Sequence, residues 1–510
     1  MRSSLSDFAT RGTGRALKGI GLSIAVAGLG CGAAKFAVAD DVPAFAPGMI
    51  THMQQMNQFK DADHGSQPTP PIIPRYLPTV DPTGALATFQ PNGATFTANN
   101  AFFQNLGTNG RTCFSCHQPQ DGWSVSATSV AARFALSGGA DPIFRLVDGA
   151  TCPSDDVSTL RAKTAAYTLL INKGLIRIGL PIPAGAQFAV TNVKDPYNCN
   201  TNPVTGLTSQ TSGIVSIYRR PLPSTNLGFL SAIMWDGREP SLSSQATNAT
   251  LGHAQAATAP TPDQLAQIVA FESGIFTAQA FDLQAGSLSD DTSTGGPIAL
   301  SLQLSSFFIG VNDPLGHNPL GTPFTSQIFD LYRPWLGPLG QEPAQRASIA
   351  RGEEVFNNIN INITGVSGLN DDLGIPSIPG FCGTCHDTPN VGNHSVKAPL
   401  DIGIPDAGAK SPPLLDISGL PVFTLTCTQG PLTGKTYAVT DPGRALISGQ
   451  CKDIGRFKGP ILRGLAGRAP YFHNGSAATL LDAVNFYDQR FGIGFTNQQK
   501  TDLVNFLNSL

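Results

Sequence analysis

The sequence predicts a mainly α-helical chain laid out in two similar halves. Three observations carry that prediction. Apolar residues recur at helical spacing in "TPDQLAQIVAFESGIFTAQ", "EPAQRASIARGEEVFNN", "SAATLLDAVNFYDQRF" and "TNQQKTDLVNFLNSL". The pentapeptide C-x-x-C-H occurs twice, as Cys113, Cys116, His117 and as Cys382, Cys385, His386. Each half also runs in the same order: helix, pentapeptide, long irregular stretch, more helix. At 510 residues the chain has room for about two to four domains with proper cores.

Taken in order, residues 1–39 read as an export signal. Arg2, Arg11, Arg15 and Lys18 precede an apolar run from Ile20 to Ala34, and Ala37 and Ala39 form an A-x-A cleavage site before Asp40. Cleavage near Ala39 would release the chain into the periplasm. The run is too short and too Gly-rich to span a membrane, and no other segment reads as a span. Cys31, in "GLGC", lacks the leucine that a lipoprotein signal prefers. Without residues 1–39 the chain carries 27 basic against 34 acidic residues, a net charge of −7. That balance leaves no basic face for nucleic acid.

Residues 40–84 are Pro-rich ("PTPPIIPRYLPTVDPTG") and read as an extended arm. Residues 85–345 and 346–510 form the two expected domains. In the first, Phe102, Phe103 and Leu106 stand at helical spacing ahead of the pentapeptide. Thr261 or Asp263 caps a later helix whose Leu265, Ile268, Val269 and Ile275 face inward. In the second, 360–380 and 400–450 read as loops, and Leu480, Val484 and Tyr487 line one helix face. Outside the signal and the pentapeptides, four cysteines remain: Cys152, Cys199, Cys427 and Cys451. An even number in an oxidising compartment suggests disulfides. Neighbour pairing, Cys152–Cys199 and Cys427–Cys451, would staple one loop-rich insertion in each half, although the sequence leaves the pairing open.

The pentapeptides carry the chemistry. Two thiols three residues apart form thioethers with the two vinyl groups of one haem, and the next residue, His, falls beneath the iron. A zinc site would want a second ligand pair of similar spacing, which neither half offers nearby. A thioredoxin-like C-x-x-C would want a βαβ setting. The reading is therefore two covalently bound haems c, with His117 and His386 as proximal ligands. For the second haem the downstream sixth-ligand candidates are His394, Tyr471 and His473; no Met follows the second motif. For the first, no His or Met occurs between His117 and Met234, and His253 and His317 are the next histidines. An open position binds and activates a small molecule, whereas a sealed haem moves electrons. The long gap after His117 marks the first haem as the open one.

Four pieces, in this order, resemble the bacterial di-haem cytochrome c peroxidase superfamily: "LGTNGRTCFSCH", "IMWDGREPSLSSQA", "RGEEVF" followed by "FCGTCH", and "FKGPILRGLAGRAPYFHNGSAATLLDAVNFY". The resemblance covers roughly residues 85–510. It implies two cytochrome-c-like haem domains with long loops and insertions. The N-terminal haem would reduce hydrogen peroxide to water. The C-terminal haem would relay electrons from a small exported donor, a cytochrome c or a cupredoxin-like protein. Trp235 would stand between the haems, and a Ca²⁺ ion would lie at the domain junction.

The departures from that pattern matter. Phe472 stands where the family often has a methionine ligand, so the second haem would use His473, as in the haem rubber oxygenases, or a tyrosine, as in the tryptophylquinone-maturing enzyme. His473 is favoured, because imidazole is the better neutral ligand for c-type iron. Arg133 stands at the place of the switchable distal histidine. The distal carboxylate position falls on Gln255, with His253 two residues earlier, and Gln245 matches a distal Gln of the quinone-maturing relative. Of these three, His253 alone can shuttle a proton near neutral pH. Two other functions stay open: oxidation or oxygenation of an organic or protein substrate, and electron transfer without catalysis.

Overall fold

The computed structural model describes residues 69–200, 214–337, 343–408 and 414–510. The expected signal peptide, and the arm as far as residue 68, lie outside the described residues.

The helices around the second motif follow the sequence pattern closely. They run Ala344–Asn358, Leu480–Phe491 and Asn497–Asn508. Thr479 and Thr496 each cap a helix with reciprocal side-chain bonds to Asp482 and Gln499, which satisfies amides that would otherwise be orphaned. Phe356, Val484, Leu503 and Phe506 close one core cluster beneath Cys382. The first motif rests on a smaller aromatic cluster of Phe102, Phe103, Phe114, Trp123 and Phe271. Phe102 packs 4.8 Å from Phe271, ring centre to ring centre, and Trp123 packs 5.3 Å from it. Each such buried ring contributes about 1.5–3 kcal/mol of apolar burial.

The expectation of a mainly α chain fails. Helix makes up 31% of the described residues and strand 18%, spread over several small sheets. The strands lie in stretches that read as loops, and where the partner is distant in sequence, as for Phe188–Lys194 and Val422–Cys427, local periodicity cannot reveal the pairing. Part of the Pro-rich arm, Tyr76–Asp81, pairs with Gly84–Phe89, which in turn pairs with Phe276–Asp282. Ile176–Pro181 pairs with Ile214–Arg219. Phe188–Lys194 pairs with Val422–Cys427, which also pairs with Thr436–Val439. Stretches from both sides of the second motif thus share one sheet, over Phe188, Val215, Ile217, Phe423 and Leu425.

Two further differences are local. The segment before the first motif forms two short 3-10 turns, Thr97–Asn99 and Ala101–Phe103, rather than a helix. The capped helix ends at Gly274, so Ile275 is not on its face but starts the turn into Phe276–Asp282. Both disulfides form between neighbours, Cys152–Cys199 and Cys427–Cys451.

Candidate active site

Each pentapeptide folds as a 3-10 turn, Cys113–Ser115 and Cys382–Thr384. Residues three apart eclipse in such a turn, so both thiols project to one side. The turns are pinned from the preceding residue. The Ser115 hydroxyl accepts from the Thr112 N–H at 3.0 Å, and the Thr384 hydroxyl accepts from the Phe381 N–H at 2.9 Å. All four motif thiols are free, in contrast to the four disulfide sulfurs.

The two histidines are oriented alike. His117 Nδ1 lies 2.9 Å from the Trp123 carbonyl, and His386 Nδ1 lies 2.8 Å from the Gly392 carbonyl. A carbonyl only accepts, so Nδ1 carries the proton and the Nε2 lone pair is free for a metal. Burial pushes the His117 pKa down to about 4 and moves His386 the same way, which keeps both imidazoles neutral, as ligands must be. One asymmetry appears behind them. Ser224 Oγ lies 3.1 Å from His117 Nδ1 and also bonds Glu272. Glu272 is buried against the first motif, and burial raises its pKa to about 7.

Both histidines open onto one cavity of about 420 Å³, which the four motif thiols also line. Paired thiols on eclipsed turns, each beside a neutral imidazole with a free lone pair, fit covalently attached haem c. The residues that would hold it are Cys113, Cys116 and His117, and Cys382, Cys385 and His386. For the expected Ca²⁺, no group of three or more His, Cys, Asp or Glu side chains able to hold a metal ion occurs among the described residues.

Of the expected distal residues, Gln245 and His253 line the cavity from the helix Leu242–Gly252 and its C-cap. His253 Nδ1 pairs with Asp148 at 2.5 Å, and Asp148 pairs with Arg111 at 2.5 Å. Although burial pushes Asp148 up, Arg111 and His253 hold its pKa below the ordinary value. Gln255 stands apart: it is exposed, its backbone is left-handed, and its side chain accepts from Asn109 at 3.2 Å. Arg133 is buried in a paired contact with Asp141. Trp235 lines the cavity and donates its indole N–H to the Arg220 carbonyl at 2.8 Å.

His473 lies 6.1 Å from Trp235, ring centre to ring centre, and stacks on Phe457 at 3.9 Å. Its Nε2 is buried without a hydrogen-bond partner. Tyr471 and His394 also line the cavity; Tyr471 donates to the Leu465 carbonyl at 3.0 Å, and His394 faces Asp387 at 3.2 Å. His317 is mostly exposed and paired with Asp313. The sequence reading missed Arg111, Asp148, Ser224 and Glu272. Arg111 stands two residues before Cys113, the one hint the sequence offered.

Paired thiols and histidines on one cavity are the arrangement that two covalently attached c-type haems would need. No family model matches the chain. Curated relatives are cytochrome-c peroxidases. It is 30% identical over 143 residues to the cytochrome-c peroxidase IdrP1 of Pseudomonas sp. (strain SCT), which is 25% of this chain and 36% of that one. It is 33% identical over 140 residues to IdrP2 of Denitromonas iodatirespirans, 26% of this chain and 36% of that one. The matches thus span about a third of the length of these relatives. A solved structure of a MauG-like protein associated with microbial copper homeostasis gives a TM-score of 0.29 at 17% identity, over 60% of this chain and 78% of that one. Over about a quarter of its length the chain is similar to these cytochrome-c peroxidases.

Proposed function

We propose that this chain is a periplasmic di-haem peroxidase that reduces hydrogen peroxide to water beside His117. The observation that carries the reading is the unequal cavity wall. His253, seated on Asp148 and Arg111, supplies a proton-handling group on the side of the first motif. A haem held by Cys113, Cys116 and His117 would supply the redox centre for breaking the peroxide oxygen–oxygen bond. Asp148 holds His253 by Nδ1, which leaves Nε2 free to move a proton between the two peroxide oxygens. Gln245 donates an amide hydrogen bond to bound peroxide. Electrons enter from a small exported cytochrome c or cupredoxin-like donor at the second motif and pass by Trp235, whose indole is fixed on Arg220. One peroxide, two electrons and two protons give two waters. His473, whose buried Nε2 has no hydrogen-bond partner and faces Asp441 at 3.9 Å, is the proposed sixth ligand of the second haem.

The reading is tested with protein whose haem content has been measured. Two haems per chain and rapid peroxide-dependent oxidation of reduced cytochrome c are expected. With two haems bound, the absence of that oxidation would falsify the peroxidase reading. It would favour oxidation of an organic or protein substrate, a reaction for which the amide-bearing Gln245 is the supporting feature. His473→Gly should change the low-spin ferric signal; an unchanged signal removes His473 as a ligand.

A further inference from the structure

Two turns in the molecule are built on one plan, 233–239 ahead of the helix Leu242–Gly252 and 471–477 ahead of the helix Leu480–Phe491. Each is closed by an antiparallel bridge between its first and last residues, Ile233 with Glu239 and Tyr471 with Ala477. In each, the second residue is left-handed, Met234 at φ 68° and Phe472 at φ 67°. A left-handed glycine follows three residues on, Gly237 and Gly475, and donates back to the carbonyl of Met234 or Phe472. The turns also grip each other's half reciprocally. The Lys458 N–H donates to the Trp235 carbonyl at 2.9 Å, and the Arg220 N–H donates to the His473 carbonyl at 2.7 Å. Trp235 and His473 are thus counterparts, and so are Met234 and Phe472.

The left-handed position is costly for a side chain other than glycine, by about 1–2 kcal/mol. Two large side chains held there point to a position that the site uses. Phe472 packs against Phe486 and Tyr487, and both Phe472 and Tyr487 line the cavity with Cys382 and Cys385. The second turn therefore presents its left-handed residue toward the second motif. The first turn leads into the helix whose Ala246 packs with Phe114, Trp123 and Cys113, and Met234 lines the cavity that His117 and His386 share. By the same plan, Met234 is presented toward the first motif. Phenylalanine offers iron nothing. Methionine offers a thioether, a recognised axial ligand that raises the potential of haem c.

We infer that Met234 Sγ is the sixth ligand of the haem held by His117 in the resting protein, a cap that peroxide must displace. The inference rests on the reading above only in placing a haem at His117. It changes that reading in one respect: the first site is closed at rest and opens when the thioether leaves. No bond within the chain is made or broken, and no electron moves, when the cap exchanges for peroxide.

The test is spectroscopic and uses the whole oxidised holoprotein. Wild type should show the red-edge sulfur-to-iron absorption of a His/Met ferric haem. Met234→Leu, close in volume, should lose that band and convert one low-spin electron paramagnetic resonance signal to high spin. Met234→His should restore low spin without the band. A wild type that lacks the band, or a Leu variant that keeps it, overturns the inference. Peroxide turnover is a separate readout. A wild type with the band but without turnover sinks the peroxidase reading and leaves the cap standing. Turnover in a wild type without the band does the reverse.

Discussion

The two C-x-x-C-H sites share a frame and differ in what surrounds it. Both use a 3-10 turn, a histidine that donates to the carbonyl six residues on, and a left-handed residue before a capped helix. Around the first stand Arg111, Asp148, Gln245, His253 and, behind the histidine, Ser224 and Glu272. Around the second stand Phe472, Leu480, Val484, Tyr487 and Leu503. Proton transfer requires groups that hold and release protons; beside the second motif these apolar side chains predominate, and Tyr471 and His394 are bonded to the Leu465 carbonyl and to Asp387. Electron transfer requires no such groups. The frame fixes where a haem can be held, and the wall decides what it can do there.

The largest expected effect breaks the comparison on its polar side. His253→Ala should lower kcat/KM for peroxide by about 10²-fold or more, the usual worth of a positioned acid–base group. Tyr487→Phe, at the apolar wall, should lower it far less. Steady-state oxidation of reduced cytochrome c measures both. Equal losses would mean that the polar wall has no special role. Next in size is the link between the halves. Arg219 pairs with Asp236, beside Trp235, at 2.5 Å and with Asp441 at 2.6 Å, all three buried. Arg219→Met leaves buried Asp441 without its cation and Asp236 with Arg238 alone, at 3.0 Å, so the unfolding free energy should fall by about 3–5 kcal/mol. A chemical denaturation curve that does not move would show that the two halves are not held through this ion pair.

Much of this frame is legible in the sequence, and the reasons are physical. The C-x-x-C-H spacing is local, so both turns and their histidines can be read directly. Thr261 with Gln264 is a capping box, and the helix starts where that pattern says. Neighbour pairing of Cys152–Cys199 and Cys427–Cys451, which the sequence suggests but leaves open, is the pairing that forms. The small sheets are not legible, because Phe188–Lys194 finds its partner in Val422–Cys427, more than two hundred residues away. Asp148 is hidden for the same reason: nothing near it in sequence announces Arg111 or His253. The matched turns were hidden because "MWDG" and "FHNG" share little but a glycine. Their likeness lies in backbone angles and reciprocal hydrogen bonds.

The two disulfides give a smaller effect. Cys152–Cys199 closes 47 residues and Cys427–Cys451 closes 24. On the chain-entropy relation each contributes about 3–4 kcal/mol, and doubling the loop adds about 0.6 kcal/mol. Paired Cys→Ala variants should both be destabilised, the first slightly more than the second. The reverse order in denaturant would mean that residual structure in the unfolded chain outweighs loop length.

A last comparison sets one carboxylate of each half against the other. Arg111 and His253 hold the pKa of Asp148 below its ordinary value despite burial, whereas burial, with Asp406 adding to it, pushes Asp401 up to about 7. The signs are opposite. Asp148 adds stability above the unfolded carboxylate value near 3.8, and that stability is lost as pH falls through its lower folded pKa. Asp401 binds its proton more tightly folded than unfolded, so its contribution is whole below about 3.8 and is lost as pH rises toward about 7. Asp401→Asn keeps an oxygen to accept from the Gly403 N–H, which Asp401 Oδ1 accepts at 2.8 Å. Unfolding measured from pH 4 to 8 should therefore show Asp401→Asn gaining on wild type as pH rises, and gaining nothing at the acid end. A constant difference across that range would place the unusual proton elsewhere.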